Sequence, residues 1–165
     1  MAAINATRSA VAAPIAAIFR VNDDLIAKAL DGLTTAEFGQ RLTDKNNPIL
    51  WIAGHVAETR ALVVRILGEQ IDTPWAELFA RGAALQEASR YPSIEEIKRV
   101  SQQINHKLYA RLEALDDGRL AAPAKGTEPG QTLADQMALF AMHDSYHVGQ
   151  MAFIRKGLGY SRIVG

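Results

Sequence analysis

The sequence contains no cysteine. That excludes disulfides, thiolate metal sites and a cysteine nucleophile, and it fits a reducing compartment such as the cytoplasm. Net charge is lacking too, because 18 Lys and Arg balance 18 Asp and Glu. A nucleic-acid partner calls for a basic stripe that displaces counterions, and none is present. An anionic membrane surface has nothing to attract it either. No apolar run in the chain approaches the roughly 18 to 20 residues of a membrane span. Strand-period alternation, internal repeats and low-complexity tracts are also missing, which leaves helices as the only regular pattern.

What is present is 165 residues, 48% of them apolar. That is enough for one domain with a useful core, expected to span residues 1–165. A first helix is expected from about Thr7 to Leu30, stopped by Asp31-Gly32. Arg8 followed by the apolar stretch Val11–Phe19 has the outline of a secretory signal. Against that, Arg20, Asp23, Asp24 and Lys28 continue in helical rhythm with Val21, Leu25 and Leu30, so a first helix of the fold is the better reading. A short helical turn is expected around Thr35–Arg41.

Asn46-Asn47-Pro48 opens a second helix, with Asn47 as the cap and Pro48 at the first helical position. It runs to about Leu67, before Gly68, with the inward stripe Ile52, His55, Thr59, Leu62 and Ile66. Gln70–Pro92 is then a long connection, with a short helix around Trp75–Phe79. Antiparallel neighbours need only about 2 to 8 linking residues, so this segment can cross over and set the third helix parallel to the second. Ser93 and Glu96 predict a capping box at the start of the third helix. Ile97, Val100, Ile104, Leu108, Leu112 and Leu115 follow, and Asp117-Gly118 is the expected end. Pro123, Gly126, Pro129 and Gly130 mark a loop. The fourth helix is expected from Thr132 to Gly157, with the stripe Leu133, Met137, Phe140, His143, His147, Met151 and Ile154. The predicted class is all-α, built on four amphipathic helices of about 20 residues each.

Three of the four histidines interrupt these inward stripes. His143 and His147 are four apart, one turn along a single helix face, and His55 takes the same kind of position in the second helix. A buried imidazole needs partners for both nitrogens. One shared metal ion satisfies a nitrogen on each ring at once. With no thiolate to offer, such a site suits zinc, nickel, iron or manganese. Spacing alone leaves another account open, in which core histidines bond to carbonyls or water. His106 points away from its helix's apolar stripe and reads as a surface residue. Two known metal patterns are absent. His143-Asp144-Ser145-Tyr146-His147 lacks the Glu of the zinc-protease helix, and the chain has a single His55-x-x-Glu58 where di-iron bundles need two Glu-x-x-His motifs.

The segment Asn47-Pro48-Ile49-Leu50-Trp51-Ile52-Ala53-Gly54-His55-Val56-Ala57-Glu58 resembles the second-helix signature of the DinB-like (DinB/YfiT) superfamily. His143-Asp144-Ser145-Tyr146-His147-Val148-Gly149-Gln150-Met151, followed by Ile154-Arg155-Lys156-Gly157-Leu158-Gly159, resembles its fourth-helix signature, H-x-x-x-H-x-G-Q. The likeness covers about residues 10 to 160, by helix pattern alone outside these two segments. It implies an up-down-down-up four-helix bundle, often a homodimer, with a metal held by His55, His143 and His147. It further implies metal-dependent transferase or isomerase chemistry with low-molecular-weight thiols such as mycothiol, bacillithiol or glutathione, although many members have no known activity.

Three neutral imidazoles leave a divalent ion, zinc or nickel ahead of iron or manganese, with at least one open position. A thiol bound there loses its proton, and a bound water falls to a pKa of about 7. The expected function is therefore transfer of a small thiol or water to an electrophilic small molecule, with hydrolysis as a variant. The alternatives are a non-catalytic metal- or small-molecule-binding stress-response protein, and a purely structural metal staple. A structural zinc usually has four protein ligands, and only three stand out here. Gln150 is expected beside the pocket and Gly149 at a close helix contact, while Glu58 reads either as an acceptor for an imidazole N–H or, equally, as a solvated helix residue. Trp51 and Tyr146 read as packing residues. The substrate pocket is expected between Gln70–Pro92 and Ala121–Gln131.

Overall fold

The computed structural model describes residues 9–164. The expected helix start at Thr7, and Arg8 with it, lie outside the described residues. Four long helices carry the fold: α1 (Ala12–Leu30), α3 (Ile49–Ile66), α5 (Ile94–Glu113) and α7 (Leu133–Gly157). Between them lie three short helices, α2 (Thr35–Gly39), α4 (Ala76–Phe79) and α6 (Asp117–Ala121), and a 3-10 turn at Ala88–Arg90. No strand occurs among the described residues, only an isolated bridge between Pro123 and Thr132. The all-α expectation is met. No helix among these residues is long and apolar enough to cross a membrane.

Several boundaries follow directly from local chemistry. Ser9 Oγ accepts the Ala12 N–H at 2.9 Å just before α1, and Gly32 takes the left-handed turn past its end at φ 71°. Thr132 and Asp135 form a complete capping box at the start of α7. At α5 only half of the expected box forms: Ser93 accepts the Glu96 N–H. The start of α3 is shifted by one residue from the expectation. Pro48, with extended ψ of 158°, occupies the cap position, and no side chain caps the helix. Asn46 is drawn the other way, accepting the Thr43 N–H at 2.7 Å. Asp117-Gly118 does not end α5, which stops at Glu113. Asp116 instead caps the new helix α6 through the Arg119 N–H.

α1 packs against α5 and α7, and α3 packs against the same two helices. Phe19, Ile52, Ile97, Ile104, Leu108, Met137, Met151 and Ile154 form the fully buried centre. The α3 stripe is rotated from the expected one. Leu62 is 43% exposed, while Ala57, Arg60, Ala61 and Val64 face the core. With long helices on two sides and α4 on a third, the first half of α3 is buried all round.

Arg60 is the unexpected member of that core, with its side chain 3% exposed. Its Nε donates to Asp144 of α7 at 2.6 Å, and Asp144 is fully buried. Its Nη1 bonds Asp23 of α1 and, at 2.7 Å, Asn105 of α5. Asp23 also accepts from Tyr109 of α5. One guanidinium therefore joins all four long helices. Burial alone lowers its pKa, but Asp144 and Asp23 outweigh that and leave the cation more firmly protonated than in water. Burial pushes Asp144 up to about 6, against the pull of Arg60.

A buried pair that loses one member leaves an uncompensated charge, costing about 3 kcal/mol or more. Asp144→Ala is expected to lose stability on that scale in urea unfolding. The double variant Arg60→Met/Asp144→Leu should recover most of it. Equal midpoints for wild type and Asp144→Ala would show that the pair does not hold the helices.

Candidate metal centre

The site sits where α3 and α7 face each other. His55 lies in the buried half of α3, His143 and His147 on the facing side of α7, and one ligand atom from each falls within 4.8 Å of the others. The closest approaches are between Nε2 atoms. His143 Nε2 is 3.3 Å from that of His55 and 3.1 Å from that of His147. His55 and His147 are buried and His143 is half-buried. The histidines singled out by their stripe positions are thus brought together, and His106 is exposed on α5 as expected.

Two of the rings are fixed from behind. His55 Nδ1 donates to the Phe79 carbonyl at 2.7 Å. A carbonyl only accepts, so Nδ1 carries the proton and Nε2 presents its lone pair to the cluster. His147 Nδ1 donates to Gln150 Oε1 at 2.7 Å, with the same consequence. Gln150 is held in turn by its Nε2 donating to Tyr146 Oη at 3.0 Å. His143 Nδ1 is buried with no partner, while its Nε2 faces the lone pairs of the other two rings, so in the absence of a cation the proton belongs on Nε2. Burial, with the neighbouring rings, pushes His143 down to about 4, and burial lowers His147 also. Both are neutral at pH 7, which is the form that binds a metal.

Convergent Nε2 atoms on three imidazoles, two of them oriented from behind, are what a divalent cation of borderline softness requires. The donor set fits such an ion. The three histidines can hold it from one side and leave the other side to an incoming molecule.

The surrounding residues correct several expectations. Glu58 bonds no imidazole; its Oε1 is buried without a partner and its Oε2 is 3.8 Å from Arg65. The expected acceptor role falls instead to the Phe79 carbonyl and to Gln150. Trp51 stacks on His55 with ring centres 4.8 Å apart and planes 11° apart, and its Nε1–H donates to the Leu78 carbonyl. Tyr146 stands edge-on to His147. Gly149 is not at a close helix contact, since a Cβ added there meets nothing within 4 Å.

Of the two segments expected to line the pocket, Gln70–Pro92 reaches His55 through the Phe79 carbonyl and Trp51 through the Leu78 carbonyl. Ala121–Gln131 folds back on the start of α7, where the Leu133 N–H bonds the Ala122 carbonyl. The polar network of Arg60, Asp144, Asp23, Asn105 and Tyr109 was not anticipated. Its signal was present, because Asp144 lies seven residues after Met137 and seven before Met151, on the core register of α7.

Gly54 makes the approach of the crossover possible. A Cβ there would lie 2.3 to 2.6 Å from the Phe79 ring, which is fully buried and stacked on Tyr91. Phe79 therefore sits in a notch that only glycine leaves, one residue before His55.

The model of the DinB superfamily matches residues 18–151 of the chain, which include all three histidines. No curated protein matches it.

Gly54→Ala is expected to cost about 1–3 kcal/mol by overpacking and to pull the Phe79 carbonyl away from His55. Urea unfolding reads the first effect and imidazole 15N NMR the second. An unchanged midpoint with an unchanged His55 Nδ1–H signal would contradict this account of the notch.

Proposed function

The chain belongs to the DinB superfamily, and we propose that it is a metal-dependent enzyme that brings a small thiol or a water to an electrophilic small molecule. His55, His143 and His147 are the proposed ligands, and zinc or nickel is the proposed ion, ahead of iron or manganese. The observation that carries the reading is the convergence of three Nε2 atoms, two of them oriented from behind by Phe79 and Gln150. A closed structural site uses four protein ligands as a rule. The group found among the described residues offers three, all imidazoles, which favours a reactive centre over a staple.

A divalent ion held there supplies Lewis acidity, which lowers the pKa of a thiol or water entering the open position. The protein's share is orientation and exclusion of solvent. Phe79 and Gln150 hold two rings so that no reorganisation is needed on binding. Trp51 covers one face of His55 with an apolar surface. With no cysteine in the chain, a thiol nucleophile arrives as cosubstrate, a low-molecular-weight thiol of the cytoplasm. Thiol S-transfer or isomerisation is the leading reaction class, and hydrolysis is the variant in which water takes the thiol's place.

The proposed frame is a single up-down-down-up four-helix bundle acting as a homodimer. The order of cross-helix bonds supports that topology. Asn22 of α1 meets Ala141 of α7 while Arg155 meets Ala29, so the numbers rise together. Arg60 of α3 meets Asn105 of α5 while Leu67 meets Arg111, again rising together. Between α1 and α5 they run oppositely, from Arg20–Glu113 to Asp23–Asn105.

Elemental analysis of the purified protein should find about one divalent ion per chain, and His143→Ala should bring it near zero with helical content retained. Gln150→Ala is expected to weaken metal affinity by about 10–100-fold, measured against a chromogenic chelator. Thiol transfer to a panel of electrophiles should vanish on chelation and return with the native metal. Full turnover by the metal-stripped protein overturns the reading, and a fourth protein ligand in a metal-bound structure would make the ion structural.

A further inference from the structure

A cavity of about 610 Å³ is lined in part by Gln150 and by none of the three histidines. Gln150 holds His147 by Nδ1, while Nε2 faces the other histidines. The two nitrogens of an imidazole point in divergent directions, so a molecule in this cavity touches the support of His147 and not the ligand position. The volume lies within the roughly 300–1,000 Å³ of small-molecule sites.

Its apolar wall has a defined shape. Tyr146, Gly149 and Phe153 follow one face of α7 at spacings of three and four. The two aromatic side chains are 61% and 70% exposed. Between them Gly149 leaves open space, since an added Cβ would touch nothing within 4 Å. Two uncovered rings flanking a side-chain gap make a slot for a flat apolar group.

The polar wall has one sign. Lys45, Asn46 and Asn47 line it, and no acidic residue does. The Lys45 ammonium and the Asn47 side-chain amide have no hydrogen bond or ion pair among the described residues. Two free donors, one of them cationic, with no acidic residue beside them favour an anion, and the slot favours a planar ring attached to it.

We propose that this cavity binds small aromatic carboxylates, with the carboxylate at Lys45 and Asn47 and the ring between Tyr146 and Phe153. It is a second site, adjoining the histidine cluster and connected to it through Gln150. It needs no metal, so its failure and the failure of the metal-dependent reading are separate results.

The test is a titration of the full chain, treated with chelator, with benzoate and its neutral counterpart benzamide. Calorimetry gives the affinities, and 1H–15N NMR locates the shifts. Benzoate is expected to bind about tenfold or more tightly than benzamide, the scale of one hydrogen bond to a charged group. The shifts should centre on Lys45, Gly149 and Gln150. Lys45→Glu, on an exposed residue, should lower benzoate affinity about tenfold or more and leave benzamide unchanged. Gly149→Leu should abolish both while the helical circular dichroism is kept. If Gly149→Leu does not fold, the Lys45→Glu comparison decides alone. Equal affinities for the two probes, undiminished benzoate binding in Lys45→Glu, shifts centred elsewhere, or no benzoate binding up to about 10 mM overturns the proposal.

Discussion

A charge inside a helical core has to be answered by others, and Arg60 is answered from three directions. Asp144, Asp23 and Asn105 come from three different helices. Hydrophobic packing alone tolerates small slides of one helix along another, because apolar contacts are not directional. A guanidinium with a fixed fork of donors does not tolerate them. The Arg60–Asp144 bond therefore sets α3 against α7, and His55 and His143 sit on these same helices, five residues and one residue away. The register that satisfies Arg60 is the register that brings the imidazoles together. A slip by one turn would strand the cation and separate the cluster in the same movement.

The cluster also depends on chain that is distant in sequence. His55 is oriented by a carbonyl 24 residues further on, delivered by Phe79 from the long segment between α3 and α5. Such a length looks loose in isolation, and long loops without regular structure are usually functional when they occur in compact domains. Here Trp75, Phe79 and Tyr91 give the segment an aromatic anchor, and Gly54 gives the anchor a seat. His147, by contrast, is oriented from its own helix by Gln150, three residues on. One ligand is thus tied to the crossover and another to α7 alone, so loosening of the crossover disturbs the two unequally.

The legible part of the molecule was the part written in local spacing. Helix lengths, the Thr132 start, the Asp31-Gly32 stop and the inward position of the histidines all follow from patterns within a few residues. His143 and His147 were readable because each stood where the stripe called for an apolar side chain. Arg60 and Asp144 stood on core positions too, but a charged residue on a helix reads by default as solvent-facing, and only its distant partners reverse that. Leu62 was misread for a related reason. The first half of α3 is apolar all round, so the stripe had no sharp edge from which its direction could be taken. Pro48 shows the limit of boundary reading: the start signal was correct, and the cap lay one residue later, at Pro48 in place of Asn47. The Phe79 carbonyl carries no side-chain signature at all.

The arrangement of the three rings is hard to explain as packing. Two lone pairs fixed toward a common point repel, and His143 can donate a single Nε2–H between them. In doing so it leaves a buried Nδ1 without a partner, a cost of about 1–3 kcal/mol for an unsatisfied buried polar atom. Leucine or methionine at these positions would fill the seam without that penalty, as Met137 and Met151 do elsewhere on the same helix. The protein instead spends hydrogen bonds from Phe79 and Gln150 to keep the rings facing inward. A cation at their centre would replace that repulsion with a bond to each ring and would move the His143 proton from Nε2 to Nδ1. Three imidazoles facing one another in a rigid seam, two of them oriented from behind, are the arrangement on which the proposed metal centre rests.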